Sequence, residues 1–498
     1  MQLDSIASYA KSMPSHLAVM DLASGRRWSY AQLDIAVDRL AAWLVGECGV
    51  ASGERVAVLS KNSAEMVVLQ LACIRSGTIF MPLNWRLAVA ELEALVADAR
   101  PLLLFLQSQF TPPDNAPRTL DAAQMLGLGS YGDAPPPEAR RDVEEVSTLL
   151  YTSGTSGRPK GVMLSERNVF WGCTNLIHGN AVGPQSTFLC DMPLFHTAGL
   201  QAATRTPLLA GGAVLISEGF DPEKTLARMM DHELGVTHYF SVPQMAATLW
   251  QRPEFDAGKL QKIVAWAIGG APNPKAQSER YLSAGVRISE GFGMSETGSN
   301  FALPPFDLDL MLAHAGSCGL PLLTVQAKIV DDDGNELGPG EQGELLIGGP
   351  SVAMGYWEQP ELTAKAFRDG WFHTGDAAMR DEDGYYFIVD RKKDMYISGG
   401  ENVYPAEVEA ALAELPEVAE VAVVGVPDER WGEVGRAYVN AAPGCHLTPE
   451  QVIAHCTARL AKFKVPKSAV VGCEIPRTGS GKVQKHLLRA QALKELGL

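Results

Sequence analysis

Long hydrophobic runs are absent from this sequence. No apolar stretch approaches the ~18 residues that a helix needs to cross a membrane. The N-terminal stretch carries Asp4 and Lys11 among its apolar residues, so it also lacks the hydrophobic core of a secretory signal. We therefore expect no membrane span and a location in the cytoplasm.

Paired cysteines and an excess of positive charge are also missing. The eight cysteines form no CxxC pair, which is typical of reduced thiols in a cytosol and not of a disulfide framework or a zinc site. The net charge of −16 disfavours non-specific binding to nucleic acid or to an anionic membrane. The length of 498 residues suggests about three domain-sized units. The sequence leaves open whether the chain forms a homodimer.

The sequence does contain a loop that is suited to bind polyphosphate. Residues 149–162 read LLYTSGTSGRPKGV, a short apolar run followed by hydroxyls, glycines and a lysine. Glycines let backbone N–H groups converge on an anion, while hydroxyls add donors and a lysine adds charge. The spacing is not that of a Walker A loop, and a flexible Ser/Gly surface loop is the alternative on composition alone. The candidate phosphate ligands are Thr152, Ser153, Gly154, Thr155, Ser156 and Lys160.

A second motif, EGFGMSET, spans residues 290–297. Its glycines leave room around Phe292, whose flat ring is suited to stack on adenine. Ser295 adds a hydroxyl, and Glu296 is a candidate ligand for a Mg²⁺ ion that bridges phosphates. Taken alone, the motif would be a tight turn with a solvated glutamate. Together with the loop at 149–162, it predicts a site for ATP and Mg²⁺.

Strand and helix patterns alternate in the first part of the chain. Residues 31–50 carry apolar residues at helical spacing, 55–59 form an apolar strand pattern, and 66–75 a further helical one. This alternation is typical of parallel α/β architecture. Residues 112–137 are rich in Pro, Asp and Ala and are predicted to form a surface loop.

The pattern changes in the second part. Asp-Gly turns between β runs predict a small antiparallel or barrel-like sheet over 316–390. The string GPGEQG at 338–343 matches GxGxxG, but it precedes a strand, so we interpret it as a turn and not as a dinucleotide fingerprint. Helix and strand patterns beyond residue 397 predict a separate α+β unit. Its basic residues favour a polyanion such as CoA, with a solvated basic face as the alternative. They are Arg459, Lys462, Lys464, Lys467, Arg477, Lys482, Lys485 and Arg489.

Together these motifs resemble those of the adenylate-forming superfamily, which includes acyl-CoA synthetases, firefly luciferase and peptide-synthetase adenylation domains. The resemblance runs from the strand at Arg55 to Lys482, with the major motifs in order. Two departures are minor: Phe292 stands where many members have tyrosine, and Ser295 where many have threonine.

The resemblance implies an α/β fold in two domains. The large N-terminal domain (1–391) would contain two α/β subdomains plus a β-barrel-like unit, hinged near Lys393 to a small, mobile α+β domain (394–498). The string PRTGSGK resembles the catalytic lysine loop of the family, which makes Lys482 the mobile catalytic residue. The path of the CoA thiol would be lined by Gly399, Gly400 and Glu401.

The resemblance also implies roles for individual residues. Asp376 and Arg391 take the positions that bind ribose, and His196 takes that of a gate beside the acyl pocket. Amino-acid-activating relatives carry an aspartate at the gate, so its absence disfavours an amino-acid substrate. The implied catalytic residues are Lys482, Glu296, Thr152 and His196, of which Glu296 and Thr152 would hold the metal. The further nucleotide-binding residues are Gly270, Ala271, Pro272, Glu290, Gly291 and Gly293. The implied acyl pocket consists of Phe195, His196, Tyr239, Ser241, Trp266, Met294 and Asn300.

The implied reaction is the ATP-dependent activation of a carboxylic acid to acyl-AMP, followed by transfer to CoA. Since the pocket residues are mostly apolar and include no evident cation for a second carboxylate, we expect a hydrophobic monocarboxylate, fatty or aryl. One alternative is transfer to the pantetheine of a carrier protein. Another is a non-catalytic nucleotide sensor, which the presence of both Glu296 and Lys482 disfavours.

Overall fold

The computed structural model describes most of the chain. The described residues are 4–125, 142–152, 159–271, 273–391, 394–398, 401–477 and 482–497, without the side chains of Asp390, Arg391 and Asn402. Within these ranges the strands form four sheets. No helix in the same ranges is long and apolar enough to cross a membrane.

A seven-stranded sheet carries the two ends of the predicted phosphate loop. Its strands lie in the order β18-β8-β7-β4-β3-β5-β6, and the run from β7 to β6 is parallel. The prediction of a loop over 112–137 is wrong for β6 (Arg118–Asp121), whose backbone pairs with β5, and residues 126–137 lie outside the described part. The strands are β3 (Arg55–Leu59), β4 (Ile79–Pro82), β5 (Leu103–Leu106), β6 (Arg118–Asp121), β7 (Val146–Thr152), β8 (Lys160–Ser165) and β18 (Gly355–Tyr356).

A nine-stranded sheet carries the second motif. Its order is β15-β14-β13-β12-β11-β9-β10-β1-β2, with parallel pairing from β13 to β1 and antiparallel strands at both edges. The strands are β1 (Leu17–Asp21), β2 (Arg27–Ser29), β9 (Thr187–Cys190), β10 (Ala213–Ile216), β11 (His238–Ser241), β12 (Ala265–Ile268), β13 (Ile288–Met294), β14 (Gly298–Ala302) and β15 (Leu320–Pro321).

Helices cover these two sheets, and the alternation predicted from the sequence is confirmed. The helix predicted over 31–50 is α2, which starts at a Ser29 capping box and buries Leu33, Val37 and Leu40 in the largest core cluster. The N-terminal helices are α1 (Ser5–Ser12), α2 (Tyr30–Gly46), α3 (Ala64–Ser76), α4 (Val89–Ala99), α5 (Glu166–Gly179), α6 (Thr206–Ala210), α7 (Pro222–Met230), α8 (Pro243–Trp250), α9 (Ala257–Leu260), α10 (Lys275–Ser283), α11 (Leu308–Ala313) and α12 (Pro360–Ala366), together with a π-helix (Ala198–Arg205) and a 3₁₀ turn (Ala122–Gln124).

Two smaller sheets complete the fold. The antiparallel sheet predicted over 316–390 is confirmed, with the order β16-β17-β20-β19 and β21 paired with β20. Its strands are β16 (Gln326–Val330), β17 (Gly343–Gly348), β19 (Phe367–Arg368), β20 (Trp371–Arg380) and β21 (Tyr386–Arg391). The string GPGEQG forms the turn before β17, as predicted.

The C-terminal unit is α+β, also as predicted. Its sheet has the order β23-β22-β25-β24, with β26 parallel to β25, and two core clusters lie on its two faces. The elements are β22 (Tyr396–Ser398), β23 (Glu401–Val403), α13 (Pro405–Ala413), β24 (Val418–Asp428), β25 (Gly432–Ala441), α14 (Pro449–Arg459), β26 (Ser468–Val471) and α15 (Lys485–Leu496).

Candidate active site

The predicted phosphate loop connects the strands of an antiparallel hairpin. β7 ends at Thr152 and β8 begins at Lys160, and these two residues are directly opposed in the ladder. Opposed residues project from the same face of a sheet, so the threonine hydroxyl and the lysine ammonium lie at the base of the loop. The intervening candidates Ser153, Gly154, Thr155 and Ser156 lie outside the described residues.

The second motif lies on a hairpin of the other large sheet. A Cβ atom at Gly291 would lie 2.8 Å from the carbonyl of Phe301, and one at Gly293 would lie 2.4 Å from that of Gly298. Both glycines therefore permit the close approach of β14 to β13. The ring of Phe292 is partly buried, with its centroid 6.1 Å from that of Phe301.

The segment 269–271 lies next to this hairpin, because β12 is parallel to β13 and Ile268 pairs with Glu290. Gly270 has a φ of +84°, in the left-handed region that favours glycine. Ala271 follows on the surface, and Pro272 lies outside the described residues. The backbone turn predicted beside the nucleotide thus adjoins the second motif.

A hydrogen bond joins the second motif to the histidine segment. Thr197 Oγ1 donates to Ser295 Oγ over 3.1 Å. The Phe195 and His196 rings lie immediately before this contact, with their centroids 4.6 Å apart. Two motifs that are about a hundred residues apart in the sequence therefore meet at one place.

His196 is partly buried, with two cations near it. Burial, followed by the positive charges of Lys482 and Arg86, lowers the pKa of His196 to about 4, so the ring is neutral at pH 7. Its Nε2 atom is buried and has no hydrogen-bond partner among the described residues. Lys482, from the C-terminal domain, thus comes close to the histidine segment of the N-terminal domain.

Arg86 is a residue of this region that sequence reasoning missed. It follows β4, and its guanidinium lies 4.7 Å from the ring centroid of Trp85 and 5.7 Å from that of Phe195. The tryptophan that precedes the arginine in NWRL was the only available signal, and that signal is weak. A cation is therefore present beside the predicted acyl gate, contrary to the expectation from the sequence.

Glu296, the predicted metal ligand, is buried and hydrogen-bonded. The hydroxyl of Tyr356 donates to Glu296 Oε1 over 3.0 Å, and Lys160 Nζ lies 5.6 Å from the centroid of the same tyrosine ring. Tyr356 was also missed, because it reaches this place through the pairing of β18 with β8. The carboxylate of the second motif and the lysine of the phosphate loop thus flank one aromatic residue.

Glu290 has an unusual environment for a carboxylic acid. Burial raises its pKa to about 7, although hydrogen bonds from Ser278, Gly316 and Asn273 lower it. Ser278 Oγ donates to Glu290 Oε1 over 2.6 Å and the Gly316 N–H donates over 3.0 Å. The group is therefore a mixture of acid and carboxylate near pH 7.

We predict that Glu290→Gln makes the protein more stable at high pH and leaves it unchanged at pH 4. In the unfolded chain the carboxyl ionises near its ordinary pKa of 4.5, whereas the folded chain retains the proton up to about pH 7. Unfolding therefore releases a proton in this window, and the free energy of unfolding falls as the pH rises through it. The gain of the variant should reach up to about 3 kcal/mol at pH 8. Urea melts between pH 4 and 8 measure it, with Glu223→Gln at an exposed site as control, and parallel pH profiles for Glu290→Gln and wild type would contradict it.

Three of the predicted acyl-pocket residues lie in the core under α8 and α10. Trp266 is fully buried, and its Nε1–H donates to Ser241 Oγ over 2.7 Å. The Tyr239 hydroxyl donates to the buried carboxylate of Asp191 over 3.1 Å. Because side chains alternate along a strand, the residues on the opposite face of β11 and β12 are His238, Phe240, Ala265 and Ala267.

That opposite face borders a small cavity of about 10 Å³, lined mainly by apolar side chains. Asn300, a further predicted pocket residue, is buried in its own turn, where it accepts a hydrogen bond from Thr297 Oγ1 and donates one to the Thr297 carbonyl. Met294 lies at the end of β13, within the hairpin of the second motif. The buried ring of Phe195 lies beside the ring of His196. The cavity is lined by Leu176, Asn180, Phe188, Ala202, Thr206, His238, Tyr239, Phe240, Ala265 and Ala267.

The predicted ribose ligands are cross-strand neighbours. Asp376 on β20 is opposite Arg391 on β21, although the side chain of Arg391 lies outside the described part. In the predicted thiol path, Glu401 is exposed at the start of β23, whereas Gly399, Gly400 and the hinge residue Lys393 are outside the described residues.

The basic residues of the C-terminal domain do not form an open positive field. Six of the eight make ion pairs within that domain, which removes much of the sequence argument for binding CoA by charge alone. The pairs are Arg459–Glu414, Lys464–Glu407, Lys467–Asp428, Arg477–Glu420, Lys485–Glu409 and Arg489–Glu433.

Comparison with known proteins agrees with this arrangement. Residues 6–357 match the family described as AMP-binding enzyme, and residues 407–482 match the AMP-binding enzyme C-terminal domain. A feruloyl-CoA synthase from Amycolatopsis sp is 39% identical over 473 residues, which cover 93% of this chain and 94% of that protein.

Solved structures share the whole fold. ATP-bound MatB from Rhodopseudomonas palustris is similar with a TM-score of 0.90 and 32% identity, covering 100% of both chains. MenE from Bacillus subtilis, an o-succinylbenzoate coenzyme A synthetase solved with ATP and a magnesium ion, is similar with a TM-score of 0.86 and 29% identity, covering 97% of this chain and 99% of that one. This chain therefore belongs to the AMP-binding enzyme family, the adenylate-forming superfamily that its motifs resemble.

Proposed function

We propose that this chain is an ATP-dependent acid–thiol ligase that converts a hydrophobic monocarboxylic acid, fatty or aryl, into its CoA thioester. The observation that carries the proposal is that the charge of Lys482, from the C-terminal domain, lies near enough to His196 to lower its pKa, beside the hairpin of the second motif. Binding a nucleotide alone requires neither a lysine delivered from a second domain nor a buried carboxylate at the phosphate site.

The side chains present fit ATP and Mg²⁺. Among the described residues no three His, Cys, Asp or Glu side chains form a ready-made metal site. Mg²⁺ is commonly held by one or two carboxylates together with substrate phosphates and water, so Glu296 with the Thr152 hydroxyl is a suitable donor set. When bound, the ion would neutralise charge on the phosphates. Lys160 and the loop hydroxyls would hold the phosphates, and Asp376 with Arg391 the ribose.

The reaction has two steps. A carboxylate oxygen attacks the α-phosphorus of ATP, forming the acyl–AMP anhydride and releasing pyrophosphate. The thiol sulfur then attacks the acyl carbon, so that a thioester forms, AMP leaves and the thiol proton is released. Lys482 stabilises the charge that develops in the first step. The neutral His196 ring, uncharged because of burial and two nearby cations, gates access to the acyl carbon.

Domain rotation would separate the two steps. We place the boundary between Arg391 and Asp394, with the hinge at Lys393. The end of β21 at Arg391 and the start of β22 at Tyr396 support this boundary, as do the two family matches on either side of it. After rotation, Gly399, Gly400 and Glu401 would line the thiol path.

A hydrophobic monocarboxylate is favoured by the apolar side chain beside the gate. Phe195 is buried, and its ring lies 4.6 Å from the His196 ring, centroid to centroid. Arg86 argues for a dicarboxylate instead, because its guanidinium lies beside Phe195 and is a group that binds a second carboxylate.

A pyrophosphate-release screen tests the substrate class. The panel contains straight-chain acids of increasing length, benzoates, cinnamates and matched dicarboxylic acids, each with ATP and Mg²⁺. We expect the highest kcat/KM for a fatty or aryl monoacid. A preference for dicarboxylates that disappears in Arg86→Gln would overturn the monocarboxylate assignment and leave the ligase chemistry intact. Absence of acid-dependent pyrophosphate release would reject the ligase itself.

Transfer to a carrier protein is the second candidate. The ion pairing of the basic C-terminal residues favours it, because a polyanion such as CoA gains less from charges that are already neutralised. Thioester formation with CoA and with a phosphopantetheinylated carrier protein at equal concentration decides between the two, and a higher rate with CoA is expected.

A further inference from the structure

Tyr356 is held rigidly between the two phosphate-site motifs. It lies on the two-residue strand β18, opposite Val162 of β8. Its N–H donates to Thr363 Oγ1 over 2.9 Å, and its ring packs edge-on against Phe367 with the centroids 5.7 Å apart. The side chain is 5% exposed. Because strand pairing, a side-chain acceptor and ring packing all constrain it, the position of the hydroxyl is well defined.

The hydroxyl is directed at the predicted metal ligand. It donates to Glu296 Oε1 over 3.0 Å, and Glu296 itself is only 8% exposed. The segment just before β18 also holds the backbone of Glu296, since the Ala353 N–H donates to the Glu296 carbonyl over 2.7 Å. A carboxylate with one oxygen fixed in this way has a defined plane, so its second oxygen has a defined direction.

The ring of the same tyrosine contacts Lys160, the lysine at the end of the predicted phosphate loop. Lys160 Nζ lies 5.6 Å from the ring centroid, within the range of a cation–π contact. The residue after Tyr356 also holds the start of β8, because the Trp357 N–H donates to the Gly161 carbonyl over 2.7 Å. One residue therefore touches the negative group on one side of the site and the positive group on the other.

We propose that Tyr356 is a positioning residue for nucleotide and metal: its hydroxyl orients Glu296 toward Mg²⁺, and its ring orients Lys160 toward the phosphates. This inference rests on the proposed function of the site. The two contacts are chemically separable, because the first requires the hydroxyl and the second requires only the ring.

Two substitutions separate these contacts. Tyr356→Phe removes the hydroxyl and keeps the ring. We therefore expect ATP affinity in EDTA to stay unchanged. The Mg²⁺ concentration that gives half of the Mg²⁺-dependent gain in ATP affinity should rise about ten-fold. Tyr356→Leu removes the ring as well, so it should also weaken ATP binding in EDTA several-fold. The measurement is calorimetric titration with a non-hydrolysable ATP analogue, in EDTA and over a Mg²⁺ series.

A matched control distinguishes positioning from stability. Tyr281 is a fully buried tyrosine, whose hydroxyl donates to the Ala246 carbonyl over 2.8 Å in a core cluster under α8. Tyr281→Phe should lower the melting temperature without changing the Mg²⁺ dependence. If Tyr356→Phe behaves like this control, Tyr356 is only structural and the inference is wrong.

A double substitution tests the route of the effect. In a Glu296→Gln background the hydroxyl has no carboxylate to orient, so adding Tyr356→Phe should cause no further change in Mg²⁺ dependence. A full additional ten-fold change would overturn the inference. Failure of the proposed function has a different signature, because wild type itself would then show neither Mg²⁺-dependent ATP binding nor acid-dependent pyrophosphate release.

Discussion

Replacing Lys482 by alanine is expected to lower the rate of acyl-adenylate formation by about 100- to 1000-fold, the range for removing one preorganised group that stabilises developing charge. Conversion of supplied acyl-AMP and thiol into thioester should be largely unaffected, because the lysine would by then have rotated away from the acyl carbon. Pyrophosphate release and thioester formation from synthetic acyl-AMP measure the two steps separately.

Two further variants complete this test. Lys494→Ala, in the last turn of α15, is the matched control and should leave both steps at the wild-type rate. Lys393→Pro fixes φ at the proposed hinge and should impair the thioester step more than adenylation. Equal losses in both steps for Lys482→Ala, with an unchanged melting curve, would contradict the alternation of domains.

The charge of Lys482 also has a spectroscopic consequence. It is one of the causes that lower the pKa of His196, so Lys482→Ala should raise that pKa. Titration of the histidine by NMR follows this change without any substrate. An unaltered His196 titration would mean that the two residues are not neighbours in solution.

The sequence predicted the order of elements well because that order depends on local patterns. Apolar periodicity located α2 and β3, and the Asp-Gly turns located the antiparallel sheet. The short strand β6 was missed because its four residues are mostly exposed, and only pairing with β5 makes them a strand.

The site was predicted less completely, because side-chain direction and long-range pairing are not local. Tyr239 and Trp266 lie on predicted strands, but a residue in a strand faces one of two sides, and these two face the core. Tyr356 reaches Glu296 only because a two-residue strand pairs with β8, and no pattern around residue 356 indicates that pairing. The ion pairs of the basic C-terminal residues could not be predicted either, because they join residues that are far apart in the sequence.

Replacing Glu296 by glutamine is expected to lower the rate of adenylation by about 100-fold or more, because the variant loses the negative charge that would hold Mg²⁺ beside the phosphates, where the ion stabilises the transition state. Glutamine has nearly the same volume, and its Oε1 can still accept the hydrogen bond from Tyr356, so the fold should be retained. Glu223→Gln, at an exposed position, is the matched control. Near-wild-type pyrophosphate release at saturating Mg²⁺ would remove Glu296 from the metal site.

ATP affinity without metal is the most informative test of this prediction, because Glu296→Gln should change it in the opposite direction. A buried carboxylate near the phosphates repels ATP when no cation lies between them, so removal of its charge should not weaken ATP binding in EDTA and should strengthen it. With Mg²⁺ present the order reverses, because wild type gains a metal ligand that the variant lacks. Calorimetric titration of an ATP analogue into both proteins, with and without Mg²⁺, should therefore give affinities that cross. Weaker binding of the variant in both conditions would mean that Glu296 supports the site by structure and not by holding the metal.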